Sequence, residues 1–258
     1  LDELSTISTA FAVHGLALAL QQGLSPKKSY LDSLKRAGHW LLSIEYPPGS
    51  GIFPHHERSP YDTLNANTHA GESLALIYKT LKEIFSVRIN IFKAGASRAF
   101  SHTLQFQTEN GLFPYRAVDG ITLNYTSLVL WCMLNTWEIL SHDDLPGMPD
   151  IGELATATGK GADFLRSCIG EDGCVIWNGN ETSSAKHNIW TYAITANVLF
   201  RIGGEKNAIC AERLLHRLMK MRTASGLLPM RDTRPEITRC AFMQADILMF
   251  LLPFLTAN

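Results

Sequence analysis

Histidine, tyrosine, arginine and carboxylate side chains recur in four polar stretches of this 258-residue chain, and they are the groups that could do chemistry. The first stretch carries His55, His56, Glu57, Arg58, Tyr61, Asp62, Asn65 and Asn67, and the second Tyr115, Arg116, Asp119, Asn124 and Tyr125. The third holds Trp177, Asn178, Glu181, His187, Asn188 and Trp190, and the fourth Arg231, Asp232, Arg234, Glu236 and Arg239. Aromatic faces interleaved with amides, cations and acids suit a saccharide, whose C–H faces stack and whose hydroxyls need paired donors and acceptors.

The apolar segment after each stretch sets an alignment in which His69 and Tyr125 match, with His187 or Trp190 and then Arg239 as counterparts. A His, a Tyr and an Arg converging there could act as base, acid and anion clamp for proton abstraction next to a carboxylate. Capping or satisfying backbone groups is the plainer role for any one of them. Glu72 and Asp246 lie inside apolar segments, where an acid is costly unless paired or functional. As general acid or base they would carry raised pKa values suited to glycoside cleavage; otherwise they accept hydrogen bonds from neighbouring helices. The expected catalytic set is therefore His69, Tyr125, Glu72 and Asp246. The expected binding set is His55, Tyr61, Asn67, Tyr115, Arg116, Asn124, Trp177, His187, Trp190, Arg231 and Arg239.

No metal or cofactor is expected. The doublet His55-His56 with Asp62 has none of the usual zinc spacings, and His14 reads as core or channel lining. Neither a P-loop nor a nucleophile elbow occurs.

Those residues need a scaffold, and the scaffold is written in repeats. Four glycines open similar phrases: Gly51-Ile-Phe-Pro, Gly111-Leu-Phe-Pro, Gly173-Cys-Val-Ile and Gly226-Leu-Leu-Pro. Before each lies an amphipathic segment with apolar residues near a 3.6 spacing, such as Leu31, Leu34 and Leu41, or Leu214, Leu215 and Leu218. After each come a polar loop and a segment apolar almost all round, as at Leu74–Ile77, Leu128–Trp131, Ala193–Ala196 and Ile247–Phe250. The pattern predicts outer helix, glycine turn, loop and buried inner helix, four times over. Leu4 to Gln22 reads as a further inner helix without its outer partner. Val87 to Phe92 reads as a turn or helix start rather than a strand. The expectation is one all-α domain over residues 1–258, an incomplete or five-hairpin α/α toroid of about nine helices. The outer-to-inner loops would share one end, where the inner-helix N-termini favour an anionic or oxygen-rich ligand.

The bulk composition excludes several classes. Lys and Arg number 23 against 24 Asp and Glu, so no basic face marks a nucleic-acid partner. The longest apolar run, Ile247 to Leu255, is too short to span a membrane. Five scattered cysteines without a C-x-x-C pair read as buried thiols in a reducing, cytoplasmic compartment. The chain begins at Leu1, which is read as the loss of an upstream segment; a preceding domain or a subunit would then cover the N-terminal helix.

The glycine phrase followed by a polar loop and a buried helix resembles the α/α toroids. These include six-hairpin glycosidases, toroid polysaccharide lyases, the C-terminal domain of glucuronyl C5-epimerases, terpenoid cyclases and protein prenyltransferases. The segment Tyr61–Glu72 is most similar to the inner-helix starts of the glycan-active members, and no single family is matched in full. The resemblance implies a carbohydrate-active enzyme on a saccharide, uronate-containing for preference, working by acid–base chemistry as a lyase, epimerase or hydrolase. Two alternatives stand beside it: a non-catalytic helical-repeat docking module, and a terpenoid cyclase or prenyltransferase-like toroid. The cyclase needs an Asp-rich motif at the active end, whereas Asp143-Asp144 falls at the other. A prenyltransferase-like zinc set would have to draw Cys240 towards His69 and His187.

Overall fold

The structure is a computed structural model, described here for residues 4–59, 61–116, 123–141, 151–175, 189–229 and 241–255. Among these residues it contains nine helices and no strand, only isolated bridges. In order they are α1 (Thr6–Gln21), α2 (Lys28–Ser43), α3 (Leu64–Phe85), α4 (Asn90–Leu104), α5 (Leu123–Leu140), α6 (Ile151–Ser167), α7 (Ile189–Ile202), α8 (Glu205–Lys220) and α9 (Ala241–Leu255). Residues 86–89 only connect α3 to α4, so the short β-branched run around Val87 forms no strand.

The helices divide as the hydrophobic pattern predicts. On α2 and α8 the buried residues form one stripe, Leu34, Gly38 and Leu41 on the first and Cys210, Leu214 and Leu218 on the second. On α3 every residue from Leu64 to Tyr78 is buried, and on α7 so is every residue from Thr191 to Leu199. The last helix departs from this pattern. Ile247 and Phe250 are buried, but Leu248 and Leu252 are 60% and 49% exposed, so α9 is not enclosed on every side.

Two compact units emerge, one of Leu1–Gln107, Pro114–Gly120 and Cys132–Leu154, which holds α1–α4, the other of Thr108–Phe113, Ile121–Trp131 and Ala155–Asn258, which holds α7–α9. In the first, α1 and α4 both pack on α3, and the core gathers Val13, Leu34, Phe53, Leu74, Phe92 and Leu140. In the second, α7 packs against α8 and α9.

The glycine phrase is a structural module. Gly51, Gly111, Gly173 and Gly226 all have positive φ, between 76° and 90°. At the first three a Cβ would collide with a carbonyl of an outer helix, that of Arg98, Lys160 and Arg213 respectively. The turn is closed by the N–H three residues before the glycine bonding the carbonyl just after it, as in Thr108 to Leu112 (3.0 Å), Gly170 to Cys174 (2.8 Å) and Thr223 to Leu227 (2.8 Å). Two residues past the glycine, the backbone is clamped to a side chain of the next inner helix. Phe53 N–H donates to Asn67 Oδ1 (2.6 Å), Phe113 N–H to Thr126 Oγ1 (3.1 Å) and Leu228 N–H to Gln244 Oε1 (3.2 Å).

Candidate functional site

The clamp fixes the register of the inner helices and corrects the alignment drawn from the apolar runs. If Asn67 and Thr126 are equivalent, His69 matches Leu128, and Tyr125 matches Ala66, an offset of three residues. An apolar run repeats nearly every turn, so it cannot set register to better than about one turn. In the corrected register Asn65 and Asn124 coincide. Both are buried in the first turn of their helices, and the Oδ1 of each has no hydrogen-bond partner. Asn67, expected to bind substrate, is instead structural. Besides holding Phe53 it donates to Asp62 Oδ1 (2.6 Å), whose Oδ2 lies 2.7 Å from His102 Nε2. That network ties the loop to α3 and α4 and takes Asp62 away from the His55-His56 doublet.

In the first unit α1, α3 and the second half of α5 bring together a polar cluster inside the apolar core. Glu72 is 2% exposed and His69 2%. Glu72 Oε1 accepts from Asn135 Nδ2 and lies 3.3 Å from His14 Nδ1. Its Oε2 lies 3.8 Å from His69 Nδ1 and 3.5 Å from the Cys132 thiol. Burial alone would raise the Glu72 carboxyl, but the hydrogen bonds and charges of His14 and His69 outweigh it and hold the group far below the usual carboxylate range. The same carboxylate raises His14 against the opposing effect of burial. The direction is opposite to the raised Glu72 pKa expected from burial: its neighbours favour the ionised carboxylate over the protonated acid. Asp246 lies outside the described side chains.

His69 forms the other side of this cluster. Its Nδ1 points at Glu72, its ring packs against Phe11 with centroids 5.5 Å apart, and its Nε2 is buried without a partner. His55 approaches from the loop, held by Thr6 N–H donating to its carbonyl (2.9 Å). Burial, then the charges of His56 and His69, push its imidazole pKa down.

The same loop runs outward into a cleft of about 970 Å³ lined by Tyr46, Glu57, Arg58, Tyr61 and Asp62. Tyr46 and Tyr61 are 76% and 50% exposed. The Arg116 guanidinium stacks 3.9 Å from the centre of the Tyr61 ring, and Thr63 and Arg116 form a bridge that brings the second loop to the first. Tyr115 is half-buried and its carbonyl accepts from Leu64 N–H (3.1 Å). Tyr125 and Trp190 are half-buried in the second unit, at the starts of α5 and α7. Trp177, His187, Arg231, Arg239 and Cys240, with Asp119 and Asp143-Asp144, fall outside the described residues.

No family model matches the chain, and no curated protein does. Solved structures do. The chain is similar to cellobiose 2-epimerase from Bacillus thermoamylovorans, with a TM-score of 0.75 and 11% identity over 97% of this chain and 72% of that one. It has the α/α-toroid fold. A possible member of the GH105 family from Salmonella enterica gives 0.74 and 15%, over 100% of this chain and 73% of that one. A D-mannose isomerase gives 0.72 and 13%, over 98% and 72%.

Two parts of the site escaped the sequence reading. His14 and Cys132 sit in segments whose composition is that of core, and only the packing of α1 and α5 on α3 turns them towards Glu72. The spacing of His69 and Glu72, i and i+3 on one helix, is a signal that could have marked this face.

Proposed function

We propose that the chain is a carbohydrate-active enzyme, a sugar epimerase or isomerase that moves a proton at the carbon next to a carbonyl. The observation that carries this reading is His69 Nε2, a buried ring nitrogen without a partner, on an imidazole whose other nitrogen faces an ionised carboxylate. In the neutral form of the ring, a carboxylate facing Nδ1 keeps the remaining proton there and leaves the Nε2 lone pair as a base. The solved relatives support the choice, being a cellobiose 2-epimerase and a mannose isomerase.

In the step proposed, Nε2 takes the proton from carbon 2 of an open-chain aldose. The C–H electron pair becomes the C1–C2 double bond, and the negative charge moves to the carbonyl oxygen. Return of a proton to carbon 2 from the other face gives the epimer; return to carbon 1, with the proton of the carbon-2 hydroxyl passing to the carbon-1 oxygen as the C2=O bond forms, gives the ketose. His55 is the second imidazole for that return. Asn65 supplies a buried amide for a hydroxyl. Arg116, its face on Tyr61, offers its N–H edge to a hydroxyl or to the carboxylate of a uronate-containing saccharide, and the exposed Tyr46 and Tyr61 rings stack further sugar units.

The test is exchange of the carbon-2 proton with deuterated water, followed by NMR over a panel of neutral aldoses, disaccharides and uronates. Exchange is expected with at least one of them and is lost in His69→Gln at unchanged melting temperature. A His69→Gln variant that exchanges as fast as the parent sinks the assignment.

A further inference from the structure

The cluster around Glu72 has one property that proton transfer does not use: it presents a nitrogen, an oxygen and a sulfur at the corners of a nearly regular triangle. His69 Nδ1 lies 3.6 Å from Cys132 Sγ, Cys132 Sγ 3.5 Å from Glu72 Oε2, and Glu72 Oε2 3.8 Å from His69 Nδ1. Tetrahedral zinc, with bonds of about 2.0–2.3 Å to such atoms, sets its ligands about 3.3–3.7 Å apart. No other described His, Cys, Asp or Glu side chains form a group of three or more that could hold a metal ion.

We infer that His69, Glu72 and Cys132 form a binding site for a soft divalent cation, zinc in particular, and that its occupancy shuts off proton transfer at His69; the second clause rests on the function proposed above. Three observations support the site. Its donors are already oriented, because His14 and Asn135 hold Oε1 of Glu72 and turn Oε2 into the triangle, as outer-shell partners of a metal carboxylate do. Its donor set is mixed N, O and S, which favours zinc over magnesium or calcium. It has a way in, since His14, beside Glu72, keeps 14% of its side chain exposed. On binding, the Cys132 thiol loses its proton to solvent, and Glu72 binds through its ionised carboxylate. His69 donates the lone pair of Nδ1, so its ring proton resides on Nε2. With that nitrogen protonated, His69 cannot accept the substrate proton, and three protein ligands leave a fourth position for water.

Cobalt(II) is the probe. Added to the intact, chelator-treated protein, it should give tetrahedral visible bands and a thiolate-to-cobalt charge-transfer band. Cys132→Ser should lose the charge-transfer band, and a variant keeping Cys132 as its only cysteine should retain it, which guards against a misfolded serine variant. In the deuterium-exchange assay zinc should inhibit the parent, and a chelator should restore it. Measured against its own metal-free rate, Cys132→Ser should need at least about tenfold more zinc for the same fractional inhibition. A charge-transfer band unaffected by Cys132→Ser, or none at all, overturns the metal site and leaves the epimerase reading standing. A Cys132-dependent band in a protein that exchanges no sugar proton keeps the metal site and defeats the epimerase reading. Activation by zinc overturns the inhibitory role.

Discussion

Replacing Glu72 with glutamine tests the centre of the site most directly, because the carboxylate is enclosed and each of its oxygens has work. The parent makes an ion pair to His14 at 3.3 Å, a hydrogen bond from Asn135 and the longer contact to His69. Breaking a buried ion pair by removing one partner costs about 3–5 kcal/mol when the other charge is left stranded. Two features reduce that figure here. His14 can release its proton at neutral pH, and the glutamine carbonyl can still accept from Asn135. The expected loss is about 2–3 kcal/mol, which for a chain of this size is a fall of about 4–12 °C in melting temperature. Urea titration should give the same loss as a lower midpoint at unchanged slope. The double variant His14→Gln with Glu72→Gln should be about 1–2 kcal/mol more stable than the two single losses summed, because the second substitution removes a charge the first had stranded. A Glu72→Gln protein within about 0.5 kcal/mol of the parent, or strict additivity in the double variant, would refute the electrostatic account of this cluster.

Other outcomes follow from the scaffold and the cleft. Gly51→Ala should cost more than Gly226→Ala: both meet the positive-φ penalty of about 1–2 kcal/mol, but only at Gly51 does the new Cβ collide with the Arg98 carbonyl. Thermal unfolding of the pair measures the difference. Asn67→Ala should lose about 2–4 kcal/mol in a denaturant titration, since it strands the buried Phe53 amide and removes a donor from Asp62. Glu45 makes a two-point ion pair with Arg98, at 2.8 and 2.7 Å. Its burial works against ionisation, but Arg98 and the Gly51 amide hold its pKa below the ordinary value near 4.5. A depressed carboxylate stabilises the fold above that ordinary value and loses its contribution as pH falls through the folded one. Melting temperature should therefore drop more steeply below pH 4.5 in the parent than in Glu45→Gln. Tyr61→Ala should leave the melting temperature unchanged and raise KM for the sugar severalfold, the worth of about 1 kcal/mol of stacking.

Much of the fold was legible in the chain because it depends on local chemistry. The glycine phrases mark positions that need positive φ, the 3.6 spacing of Leu34 and Leu41 marks a helix with one wet face, and the unbroken burial from Leu64 to Tyr78 follows from a segment with scarcely a charge. The face carrying His69 and Glu72 was legible for the same reason, since residues three apart on a helix share a side. The register between repeats was not. An apolar run is nearly unchanged by a shift of one turn, so only the clamps at Asn67, Thr126 and Gln244 show that His69 and Tyr125 are not counterparts. Partnership across the core was equally hidden. His14 is 58 residues from Glu72 and Cys132 is 60, and no local pattern in α1 or α5 distinguishes them from core filler. The charge state of Glu72 was decided there too. Sequence placed a carboxylate in an apolar helix, where burial by itself predicts a neutral acid. Packing set two imidazoles against it, and at 3–4 Å in a dry interior their attraction outweighs the loss of water and keeps it ionised.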